Sequence, residues 1–180
     1  MADEEIPSGR NERASQADGA AAASPAPVTP AAGGEDSLFS VSVVWSGDGA
    51  GSGRVRTEDG TLDAPIAGAT RLGGAGGAAN PEELLLAAVA ACFVNTWAIF
   101  LRKLQVAYAE PALRVTGTLS SDPAGGFRMT GAVIHARVPG ALLEADKPKV
   151  EKTLALAEKY CIISKVARAA MPVTVEIERV

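Results

Sequence analysis

The sequence predicts an α+β fold on three observations. Short β-rich runs end in glycine turns, two long stretches carry helix start signals, and no regular strand–helix–strand alternation of a doubly wound sheet is present. Hairpins with antiparallel strands around long helices are therefore expected. A length of 180 residues gives room for one core and an appendage.

Taken in order, residues 1–36 are rich in Ala, Pro, Gly and Ser and hold almost no large apolar side chain. Such a stretch cannot bury enough surface to offset its ordering entropy, so it reads as a disordered tail on a domain spanning 37–180. It starts Ala2-Asp3-Glu4-Glu5, without the basic start and apolar run of a signal peptide, and a cytoplasmic protein is the expectation. From Ser37 a β-rich run holds Leu38, Phe39, Val41, Val43, Val44 and Trp45 and ends at Ser46-Gly47-Asp48-Gly49. A second strand is expected around Arg54-Val55-Arg56, a hairpin turn at Asp59-Gly60, and a third strand over 61–66. The glycine-rich stretch Leu72 to Ala79 lacks the Lys-Ser/Thr ending of a P-loop and the strand–GxGxxG–helix setting of a dinucleotide site, so nucleotide binding is not expected.

Asn80-Pro81-Glu82-Glu83 opens a helix with Asn as N-cap, Pro at the first position and Glu placed to close a capping box. That helix should run to about Lys103. Within it, Leu84 to Leu101 carries no formal charge and is long enough to span a membrane, but Asn95, Thr96 and the many alanines argue for the buried centre of a water-soluble fold. A strand follows over 113–119, a loop at Ser121-Asp122-Pro123-Ala124-Gly125-Gly126, and a returning strand over 127–138. A second helix is expected from near Asp146 to about Tyr160, a short one from Cys161 to about Ala169, and a last strand over 172–180.

Few residues are equipped for chemistry. The net charge of −4 and the pI near 5.1 disfavour nucleic acid or an anionic membrane as partner. His135, the single histidine, alternates away from Ile134 and Ala136 and reads as a surface or half-buried strand residue, not a catalytic one. Without a second histidine or a Cys-x-x-Cys pair a zinc site is not expected, and no Gly-x-Ser-x-Gly elbow supports a serine hydrolase. Two cysteines remain. On position alone Cys92, set mid-helix among Ala90, Ala91 and Phe93, is either a small buried hydrophobe or a thiol whose positive neighbour comes from elsewhere in the fold or from a second subunit. Cys161 sits at a helix junction between Tyr160 and Ile162.

Asn80-Pro81-Glu82-Glu83-Leu84-Leu85 followed by Ala90-Ala91-Cys92-Phe93 resembles the signature of the OsmC/Ohr family, and Cys161-Ile162-Ile163-Ser164 is similar to its Cys-Pro-x-Ser. Trp45-Ser46-Gly47-Asp48 and Thr57-Glu58-Asp59-Gly60-Thr61-Leu62 resemble the OsmC branch. The resemblance covers nearly all of 37–180. It implies an intertwined homodimer with its long central helices buried together, and an antioxidant peroxidase that reduces organic hydroperoxides without metal or bound cofactor. It further implies that Cys92 is the peroxidatic thiol, that Cys161 resolves it as a disulfide, that Glu82 positions an arginine over the thiolate, and that a lipoyl-type dithiol is the reductant. Glu82 and Cys92 are about 15 Å apart along a straight helix, so Glu82 is expected to meet the second subunit's site. The family's arginine position falls at Gly51 here. Arg54 is the first candidate for the missing cation and Arg71 the second. The alternative is a non-catalytic member of the same fold, a hydrophobic-ligand or structural protein that lacks the arginine.

Overall fold

The computed structural model describes residues 37–180, so the expected tail lies outside the described residues. Among the described residues the order is β1 (Ser42–Ser46), β2 (Ser52–Arg56), β3 (Asp63–Ala67), a single 3₁₀ turn (Thr70–Leu72), α1 (Pro81–Lys103), β4 (Ala112–Ser121), β5 (Phe127–Val138), α2 (Gly140–Tyr160), α3 (Ile162–Ala170) and β6 (Val173–Arg179).

The first three strands form an antiparallel meander in which Trp45 faces Gly53 and Arg56 faces Asp63. The turn between β2 and β3 is held by Asp59, whose Oδ1 accepts from the Thr61 N–H at 3.1 Å and the Thr61 hydroxyl at 2.8 Å, with Gly60 at a φ of +73° that favours glycine. The glycines of 72–79 have a packing explanation. The Gly76 N–H donates to the Gly68 carbonyl at 3.0 Å, and a Cβ on Gly74 would fall 2.2 Å from the Gly68 carbonyl carbon. Close backbone approach calls for glycine at these positions.

Helix α1 begins as expected, with the Glu83 N–H donating to Asn80 Oδ1 at 2.8 Å and the Asn80 N–H to Glu83 Oε2 at 3.1 Å. Only one stripe of it is buried within the protomer: Val89, Phe93, Trp97 and Leu101, one residue per turn. Leu85 and Ile99 are exposed, so the burial expected for the whole uncharged run is met along that stripe alone. The stripe packs on Ile134, Ala136 and Val138 of β5 and on Val150, Leu154 and Ala157 of α2, in one cluster that also holds Cys161.

The second sheet has the order β4–β5–β6. The β4–β5 hairpin is antiparallel as expected, but β6 runs parallel to β5, with Ile134 opposite Val175 and His135 opposite Glu176. The expected antiparallel pairing thus holds for β1–β2–β3 and β4–β5 and is corrected at β6, because α2 and α3 carry the chain back across the sheet before β6 begins. His135 is half-buried, on the face opposite buried Ile134 and Ala136, as its alternation requires. Helix α2 starts six residues before the expected Asp146. Its axis breaks at Asp146 (φ −156°, ψ 55°), ahead of Pro148, and the Lys149 N–H donates to Asp146 Oδ1 at 3.3 Å. Asp146, expected as the start of the helix, therefore caps the second part of a helix already under way.

Candidate active site

Two helix features bring the cysteines together. Cys92 lies on α1 beside the buried stripe, next to Phe93, and is itself half-buried. Cys161 is the one-residue joint between α2 and α3 and is fully buried. Its extended backbone (φ −63°, ψ 114°) ends α2, and its sulfur caps α3, accepting from the Ser164 N–H at 3.4 Å and the Ser164 hydroxyl at 3.0 Å. The thiol thus occupies the place where serine or threonine usually caps a helix.

From that position Cys161 lies near enough to Cys92 for each thiol to shift the pKa of the other. The start of α3 lies close to the Cys92 sulfur, and the backbone N–H groups of Ile163 and Ile162 there act to lower its pKa. These are first-turn donors of a helix, which have no intrahelical partner and carry the positive end of its dipole. Burial pushes the Cys92 thiol up, but the Ile163 N–H, the Cys161 thiol and the Ile162 N–H together bring it below the ordinary thiol value. The Thr96 hydroxyl gives its one proton to the Cys92 carbonyl oxygen at 2.8 Å, not to the sulfur. Cys161 moves the other way. Burial raises its pKa, the Ser164 hydroxyl offsets part of this, and the neighbouring Cys92 raises it further. The pair is polarised, with the half-buried thiol acidic and the buried one held protonated.

Cys92 opens onto a groove of about 610 Å³ along α1, lined by Thr96, Ile99, Phe100 and Lys103 and walled by Leu156, Tyr160 and Ile162. The Phe100 and Tyr160 rings stack tilted with centroids 5.5 Å apart. The walls are largely apolar.

The remaining candidates do not join the thiols within one protomer. Glu82 lies in the first turn of α1, and its Oε2 is buried with no hydrogen-bond partner among the described residues. Arg54 on β2 is ion-paired with Asp63 on β3, which also takes Arg56 at 3.0 Å. The Arg54 guanidinium holds the Asp63 carboxyl below the usual carboxylate range. Arg71 is exposed in the 3₁₀ turn, beside a small cleft that it lines with Asn80 and Glu83. Among the described residues no basic side chain hydrogen-bonds to Cys92. Within the protomer, main-chain N–H groups and the Cys161 thiol, not a basic side chain, act to lower the Cys92 pKa. The available signal was the Cys161-x-x-Ser164 spacing, which is that of a helix cap.

Comparison with known proteins follows the same lines. The family model described as OsmC-like protein matches residues 74–176. An organic hydroperoxide resistance protein-like 1 of Staphylococcus epidermidis is 31% identical over 130 residues, covering 72% of this chain and 89% of that protein. An organic hydroperoxide resistance protein of Xanthomonas axonopodis pv. citri is 31% identical over 137 residues, covering 72% and 88%. The crystal structure of an organic hydroperoxide resistance protein OsmC from Legionella pneumophila superposes with a TM-score of 0.65 at 27% identity, covering 79% of this chain and 99% of that one. With its helix-borne thiol pair, its two three-stranded sheets and these matches, the chain belongs to the OsmC-like protein family.

Proposed function

We propose that the protein is a thiol-dependent peroxidase that reduces organic hydroperoxides, with Cys92 attacking and Cys161 resolving. The observation that carries this reading is the polarised pair: a groove-facing Cys92 thiol whose pKa is lowered beside the start of α3, next to a buried Cys161 whose pKa is raised. The Cys92 thiolate attacks the outer oxygen of R–O–O–H, the O–O bond breaks, and the alkoxide takes a proton and leaves as an alcohol. Cys92 is then a sulfenic acid. Sulfur of Cys161 attacks it, the S–S bond forms, and the hydroxyl leaves as water with the Cys161 proton. An external dithiol, of lipoyl type in our reading, returns both thiols and is itself oxidised to a disulfide. Relatives named for organic hydroperoxide resistance support this substrate class. The test is an assay with cumene hydroperoxide and dihydrolipoamide. Turnover supports the enzyme, and its absence from folded, reduced protein leaves the non-catalytic reading with its apolar groove.

The working unit is proposed to be a homodimer in the cytoplasm. In the protomer β1 is exposed along its whole length, with Val44 71% and Trp45 41% accessible, and the apolar flank of α1 that holds Leu85 and Ile99 is open. Covering these surfaces with a second copy accounts for an uncharged helix without a membrane. It also gives the buried, unpaired Glu82 Oε2 a place to meet a guanidinium. Sedimentation at micromolar concentration should return a dimer, and a monomer would remove this part of the reading.

Arg54 remains our first candidate for that guanidinium, and to act it must leave or share Asp63. Arg54→Ala is expected to raise the Cys92 pKa and slow peroxide reduction about tenfold or more, the equivalent of one charge-assisted hydrogen bond, while leaving the fold intact. An unchanged rate would pass the role to Arg71 or to no arginine.

A further inference from the structure

We propose that the Ser164 hydroxyl is a catalytic donor for the resolving step, stabilising the charge on the Cys161 sulfur while it attacks oxidised Cys92. The inference rests on reading Cys92 as the attacking thiol, and it deepens that reading. Among the described residues two polar side chains are fully buried, Thr153 and Ser164. Thr153 has a structural use, receiving the Trp97 indole and donating to the Val150 carbonyl. Ser164 is spent differently. A helical serine that points inward ordinarily returns its proton to a carbonyl one turn back. This hydroxyl instead donates to the Cys161 sulfur at 3.0 Å, joined there by its own N–H at 3.4 Å. A neutral thiol is a weak acceptor, so the bond is weak in the reduced protein. A sulfur that carries negative charge is a strong one. The contact therefore tightens as charge develops, which is the condition for lowering a barrier. In the step itself the Cys161 sulfur attacks the sulfur of the Cys92 sulfenic acid, the S–S bond forms and the S–O bond breaks. The hydroxyl leaves as water with the proton of Cys161. Cys161 is wholly buried at the joint of two helices, where an unassisted charge is costly. Cys92 is the titratable group beside it, and the adjoining Tyr160 stacks its ring on Phe100.

Ser164→Ala removes the hydroxyl and keeps the N–H through which the Cys161 sulfur caps α3, so the start of the helix is retained. One hydrogen bond to a charged group is worth about one to two pK units, and a less acidic thiol is also the better nucleophile, so the net slowing of resolution is about three- to tenfold. Reduced full-length protein is mixed with one equivalent of cumene hydroperoxide and peroxide loss is followed. Quenched samples are read by mass spectrometry for dimedone-trapped Cys92 sulfenic acid and for the disulfide. Ser164→Ala is expected to consume peroxide at the parent rate, to form the disulfide about three- to tenfold more slowly, and with excess peroxide to collect more sulfinic acid on Cys92. Disulfide formation at the parent rate would overturn the proposal. So would an equal slowing of both steps, which is what a merely loosened site produces. A second readout needs no turnover. In reduced Cys92→Ser protein carrying isotope-labelled cysteine, the Cβ resonance of Cys161 follows its ionisation, and adding Ser164→Ala should raise the midpoint by about one to two pK units. An unmoved midpoint would overturn the donor role. A parent protein that consumes no peroxide would instead defeat the peroxidase reading, a result distinct from either of these.

Discussion

Cys92→Ser is expected to abolish hydroperoxide turnover, a fall of about a thousandfold or more, because a hydroxyl in the same place is not ionised at neutral pH and cannot take the peroxide oxygen. Cys161→Ser is expected to behave differently. Attack precedes resolution, so a first turnover survives and Cys92 stops as a sulfenic acid, which excess peroxide drives to sulfinic and sulfonic acid. In the unmodified protein one equivalent of an organic hydroperoxide should convert the pair to an intrachain disulfide, because the two thiols lie near enough for each to shift the pKa of the other. The direction of the pKa shifts assigns the order. The thiolate forms on Cys92, whose value is lowered, while Cys161, raised by burial, keeps its proton until the sulfenic acid is there to be attacked. Mass spectrometry after peroxide treatment decides: two free thiols would leave the family membership intact and defeat the enzyme.

Much of this arrangement was legible in the sequence where the signal is local. Asn80-Pro81-Glu82-Glu83 dictates its own capping box, and the alternation around His135 sorts β5 into a buried and an open face. Gly140 shows where local signals stop. It reads as a helix breaker, yet it opens α2, because any Cβ there would meet the Arg179 guanidinium at 2.8 Å and its N–H bonds to the Val180 carbonyl. The parallel pairing of β6 with β5 was equally hidden, since it joins residues some forty positions apart through two helices. The same limit applies to the site. Cys92 could be flagged as a thiol of interest, but its partners on α3 come from the other end of the chain, and main-chain donors leave no mark in residue identity. Arg54 illustrates the converse: its residue type fitted the chemistry, while Asp63, diagonally across the ladder on β3, claims it within the protomer.

The core behind the thiols gives the largest expected effect on stability. Trp97 is wholly buried on the same helix as Cys92, donates from Nε1 to Thr153 Oγ1 at 2.9 Å, and meets Tyr108 edge-on with ring centroids 5.6 Å apart. Thr153 in turn donates to the Val150 carbonyl at 2.6 Å, so the indole is attached to α2 through a satisfied hydroxyl. Trp97→Ala removes the ring from the centre of the cluster and leaves a cavity that α1, α2 and β5 cannot all close, at a cost of about 3–5 kcal/mol. Against a typical domain stability of about 5–15 kcal/mol that is a large share, and the melting temperature should fall by about 10 °C or more. Thr153→Val separates the two contributions. It keeps the volume but strands the indole N–H in an apolar interior, which costs about 1–3 kcal/mol. Thermal melts followed by circular dichroism are the measurement. A Trp97→Ala protein that melts within a degree or two of the parent would mean that the indole is not packed as described, and that the α1–α2 contact holding Cys92 beside Cys161 rests on other residues.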